Sequence, residues 1–140
     1  MTLYTSDISK TNYHRQLNKA ITAYIAVTAF CIVFDRVYAL FGHGVSSASM
    51  SLMFLYPLIG GVLLFILLRI FVPYAVDIKY YRLFVNCYNS GIATLTLASA
   101  LDGVFEIAGT SSSYLIFFSV SGWLLIILGL ITLITNLFKF

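Results

Sequence analysis

Few residues of this 140-residue chain carry charge: Asp, Glu, Lys and Arg make up 9% of it, where a soluble domain holds about a quarter. That deficit, with 61% hydrophobic residues and a mean hydropathy of +0.98, excludes a soluble globule and places the chain in the membrane class. Cysteine is scarce too. Cys31 and Cys87 both fall within apolar stretches and no CxxC pair exists, so a disulfide framework and zinc-ligand spacing are excluded. The two thiols read as small hydrophobes. Proline occurs twice. Pro57 removes a backbone donor and predicts a kink, while Pro73, after an apolar run, is a stop signal. No catalytic motif is present, and neither an enzyme activity nor a cofactor is expected.

What remains is apolar and long. A helix crossing a bilayer needs about 20 mostly apolar residues, and four stretches meet that length: roughly 21–41, 50–72, 80–107 and 114–138. The chain therefore reads as one integral membrane domain over 1–140, an all-α bundle of four transmembrane helices. The polar opening, with Thr11 and Asn12 as cap residues, predicts a short interfacial helix running into the first span. No small-residue cleavage site follows a short apolar core, so the first span is expected to stay in the mature protein.

Within the spans, polar and small residues fall on narrow faces. At 100° per residue Tyr24, Thr28, Cys31, Asp35 and Tyr38 share one stripe of the first span, which should face other helices because hydroxyls turned to lipid would go unsatisfied. Gly60 and Gly61 follow Pro57 and permit close approach. On the third span Cys87, Gly91, Thr94, Ala98 and Asp102 form an arc with Glu106 at its edge, and on the fourth Ser119, Gly122 and Gly129 align. Small residues at such spacing let helix backbones meet in a membrane. The third span is expected to sit centrally, between two neighbours. Ser47 or Ser49 should cap the second span, and Trp123, near mid-span, reads as core or lipid-facing bulk.

The basic residues set the orientation. Lys10, Arg15, Lys19, Arg69, Lys79, Arg82 and Lys139 lie on one side of a four-span chain, and only Arg36 lies on the other. Positive residues stay inside, so both termini are expected in the cytoplasm. Scattered at span ends, these bases signal topology, and no nucleic-acid partner is expected.

Asp35, Arg36, Tyr38, His43, Asp102 and Glu106 then gather at the outer end. Asp35 stands about 14 residues past Ile21, roughly 21 Å along the helix. Charged groups at such depth need partners. The fork of Arg36 suits a carboxylate of Asp102 or Glu106, as an ion-pair clip or as part of a functional site. His43, flanked by Gly42 and Gly44, is either a loop side chain or a proton-sensing group.

The run Phe34-Asp35-Arg36-Val37-Tyr38-Ala39-Leu40-Phe41-Gly42-His43-Gly44-Val45-Ser46, then Met50 and Pro57, and the segment from Gly103 to Gly109 containing Glu106, resemble small uncharacterised four-span membrane proteins of Gram-positive bacteria. The resemblance implies a four-helix integral protein and no assigned activity. On function the expectation is a small non-enzymatic protein of the bacterial cytoplasmic membrane, in contact with lipid. It would act as a subunit or accessory of an envelope or transport complex, or as a homo-oligomer. The alternative is a small oligomeric transporter that uses Asp35 or Glu106 as a proton or cation site.

Overall fold

A computed structural model describes the backbone of residues 2–139 and the side chains of residues 7–139; Met1 and Phe140, the ends of the expected domain, lie outside the described residues. Helix α1, Thr2–Phe41, runs unbroken for 40 residues. It contains neither glycine nor proline, so no breaker interrupts its hydrogen-bond ladder. The polar opening is thus helical and runs without a break into the first span. Thr11 caps nothing: its hydroxyl donates to the Asp7 carbonyl four residues back, at 2.8 Å, inside the continuous helix.

The second span is built from pieces. Helix α2, Ala48–Leu52, gives way to a π-helical segment, Tyr56–Leu63, and then to α3, Leu64–Phe71. Pro57 stands at the start of the π segment. With no N–H and a ring that crowds the carbonyl four residues back, it cannot join a regular ladder, and the backbone widens around it. This π segment stands where the sequence predicts a kink. A 3-10 turn, Pro73–Asp77, then leads to α4, Tyr81–Ile107, and a short turn to α5, Leu115–Phe138. Four helices of the described chain are long and apolar enough to cross a membrane: Asp7–Phe41, Ala48–Phe71, Tyr81–Ile107 and Leu115–Phe138.

Packing follows a row. Helix α1 lies against the second span, the second span against α4, and α4 most extensively against α5. The third span thus has the two neighbours its small residues require. On α1 the polar stripe faces inward: Tyr24, Thr28 and Cys31 are buried, Asp35 and Tyr38 half-buried. Gly60 and Gly61 wedge the π segment between α1 and α4. A Cβ on Gly61 would stand 1.9 Å from the Tyr24 ring, and one on Gly60 2.3 Å from Ile92 Cδ1. Gly91 and Gly122 mark the α4–α5 crossing, where a Cβ on Gly91 would meet the Gly122 carbonyl at 2.8 Å. Gly129 approaches the Tyr88 backbone further along, and Ala98 is buried. Trp123 is 53% exposed, so it lies on the outward face of α5 and not in the core.

Candidate functional site

The acids that the sequence spreads over two spans meet a single short segment. Helix α1 ends in a tight reversal: the Gly42 amide donates to the Tyr38 carbonyl at 2.9 Å and the Gly44 amide to the Ala39 carbonyl at 3.0 Å. His43 and Gly44 both adopt left-handed backbone, with φ of 57° and 80°. Glycine accepts that conformation freely and histidine more readily than most residues. Ser47 is then the N-cap of α2, and its Oγ accepts from the Met50 amide at 3.3 Å.

Gly103 decides where α2 rests. A Cβ there would stand 2.5 Å from Met50 Cβ and 2.9 Å from the Met50 amide nitrogen, so only glycine lets α2 lie this close on α4. From that seat three alternate serines reach three acids. Ser47 Oγ donates to Glu106, Ser49 Oγ to Asp102 at 2.6 Å, and Ser51 Oγ to Asp35 at 3.1 Å. Ser99 completes the contact by donating to the Ser49 carbonyl at 2.6 Å. Glu106 stands next to the last residue of α4, whose final turn carries no base. A carboxylate at the negative end of a helix is unfavourable by about 0.3–1 kcal/mol, and the serine donor offsets that. Hydrogen bonds to a charged group contribute about 1.5–3 kcal/mol when buried. With Asp102 and Glu106 exposed and Asp35 half-buried, the contribution falls to roughly 1 kcal/mol.

Arg36 is not part of this arrangement. It is exposed and forms no ion pair within 4 Å among the described residues, so the expected pairing with Asp102 or Glu106 is absent. The reason is angular: Asp35 faces α2, and its neighbour points about 100° away. His43 is also apart, exposed and with Nδ1 3.1 Å from the Phe41 carbonyl. Tyr38 belongs to the packing at this end. It lies against the Cys31, Met50 and Met53 cluster and stacks on Phe34 at 6.1 Å between ring centres.

The sequence marked Ser47 and Ser49 only as alternative caps and did not mark Ser51, Ser99 or Gly103 as partners. The signal was the alternation Ser47, Ser49, Ser51 in a chain whose acids at 102 and 106 are four residues apart. Among the described residues no group of three or more His, Cys, Asp and Glu could hold a metal ion. Each carboxylate is held by its own serine, and the helices are tied at three points.

Two cavities flank the contact. One of about 570 Å³ is lined by Ser49, Leu52, Tyr56, Ser99, Asp102 and Ser119. The other, about 550 Å³, opens between α1 and α4 among Val27, Phe30, Cys31, Met53, Ala93 and Leu97. Near it the Tyr24 hydroxyl donates to Asn89 Oδ1 and joins the same two helices, while Tyr88 donates to the Gly60 carbonyl at 2.7 Å. Compared with protein-family models, with curated proteins and with solved structures, the chain matches none.

Proposed function

We propose that this protein is a small non-enzymatic component of a bacterial cytoplasmic membrane, acting as a subunit or accessory factor of a larger membrane assembly, with both termini in the cytoplasm. The observation that carries the reading is the serine–carboxylate contact. The acids at that end accept hydrogen bonds from serines of the same chain, so they serve to join α1, α2 and α4. The one-sided distribution of Lys and Arg supports the orientation. The likeness of the Phe34–Ser46 run to small four-span proteins of Gram-positive bacteria supports the host membrane.

A second reading is a small oligomeric transporter using Asp35 or Glu106 as a proton or cation site. It is favoured by one feature: Asp35 is half-buried and accepts its described hydrogen bond from a neutral hydroxyl, Ser51. Intramembrane acids without a basic partner are the groups that proton-coupled carriers use.

Two measurements separate these. Tagged at its natural expression level and extracted in mild detergent, the protein should run in a complex with one different polypeptide at fixed stoichiometry. Alone in liposomes it should move neither protons nor monovalent cations. Flux in wild-type liposomes that Asp35→Asn abolishes, with melting unchanged, overturns the accessory reading and establishes the carrier.

A further inference from the structure

We infer that the end of the molecule opposite the serine–carboxylate contact holds a binding site for the phosphate of an anionic membrane phospholipid. The inference needs only that the helices span a membrane, and it stands whether or not the protein joins a larger assembly.

A cavity of about 970 Å³ opens there between α1 and the last turn of α3, and Arg15, Lys19 and Arg69 line it. All three are exposed, and none forms an ion pair within 4 Å among the described residues. No carboxylate lines the cavity. Asp77, the acid of the adjoining connector, accepts a hydrogen bond from Tyr13 instead. Three cations around one open space with no counter-charge repel one another, and an anion seated among them relieves that. Basic pockets between transmembrane helices bind anionic headgroups on this principle.

One further feature points to a lipid: the walls change character along α1. Thr11, Asn18 and Thr22 share the basic end, and Ala23 and Ala26 continue the lining one turn further into the span. A polar rim followed by an apolar wall fits a headgroup with the start of its acyl chains. A soluble phosphate compound has no use for the apolar part.

The test is a titration of the purified full-length protein in neutral detergent with phosphatidylglycerol or phosphatidylcholine of identical chains, read by native mass spectrometry and by melting temperature. Phosphatidylglycerol should bind about tenfold more tightly or better and raise the melting temperature. A basic side chain near a lipid surface is worth about fivefold in affinity, so Arg15→Gln and Arg69→Gln should each weaken binding by about that factor. Arg15→Lys, which keeps the charge, should retain it. Arg82→Gln removes an exposed base that lines a different cavity and should leave binding unchanged. Equal affinity for the two lipids, or an equal loss from Arg82→Gln, overturns the site. Displacement of phosphatidylglycerol by millimolar glycerol phosphate or inorganic phosphate overturns the lipid assignment in favour of a soluble phosphate ligand.

Discussion

Ser47 uses one oxygen twice, accepting from the Met50 amide and donating to Glu106. Losing an N-cap costs about 0.5–2 kcal/mol, and a hydrogen bond to a partly exposed charge adds roughly 1 kcal/mol. Ser47→Ala should therefore lower stability in detergent by about 1.5–3 kcal/mol. In a double-mutant cycle with Glu106→Gln the losses should be non-additive by roughly 1 kcal/mol, since the two share one contact. Arg36→Gln should stay within about 0.5 kcal/mol of wild type, as exposed substitutions without partners do, and should add independently to Glu106→Gln. Coupling between Arg36 and Glu106 would mean that the carboxylate prefers the cation to the serine. At this scale the acids were legible in the sequence because charge is rare in a membrane span. Their partners were not, because a serine hydroxyl carries no distinctive pattern until α2 is laid on α4.

The α4–α5 pair shows how glycines of one type differ in what they permit. A Cβ on Gly91 would meet Ile126 Cγ1 at 2.6 Å, the Gly122 carbonyl at 2.8 Å and the Ile126 amide at 2.9 Å. Two of these are backbone atoms, so the helices must separate. A Cβ on Gly129 would meet Tyr88 N at 3.1 Å and the Phe84 carbonyl at 3.3 Å, a strain that a shift of a few tenths of an ångström relieves. Replacing a mid-helix glycine by alanine gains up to about 1 kcal/mol in backbone propensity, while overpacking a tight contact costs about 1–3 kcal/mol. Gly91→Ala should thus be net destabilising and Gly129→Ala close to neutral, as read by chemical or thermal unfolding in the same detergent. The reverse order would place the tight crossing elsewhere on α5. Spacing along each helix revealed these positions as packing faces. Which glycine sits at the point of closest approach depends on the crossing angle, which no single helix encodes.

For the whole molecule, the decisive feature is how little of each helix is covered. In the most apolar window of α5, 17% is buried within the chain, and Phe30, Leu97, Trp123 and Leu128 are each more than half exposed. Apolar side chains exposed on this scale are stable only against lipid or other apolar helices. The orientation can be tested directly. In a background with Cys31 and Cys87 replaced, Ser112→Cys should react with an impermeant maleimide applied to intact cells, and Lys79→Cys only after permeabilisation. The opposite pattern would invert the topology and move the serine–carboxylate contact to the cytoplasmic face.

The four helices long and apolar enough to cross a membrane, the inward stripe of α1 and the small-residue faces of α4 and α5 were all determined by the amino-acid sequence alone. Each follows from hydropathy and a period of 3.6 residues, which are local properties of one segment. The partners of Asp35, Asp102 and Glu106 were decided by the tertiary structure. They depend on the Gly42–Gly44 reversal and on Gly103 admitting α2 to within contact of the α4 backbone. Arg36 shows the limit most plainly. Its charge and depth suggested a carboxylate partner, but its direction is set by the rotation of α1. That rotation is fixed by burial of Tyr24, Thr28 and Cys31, whose combined packing outweighs one exposed ion pair.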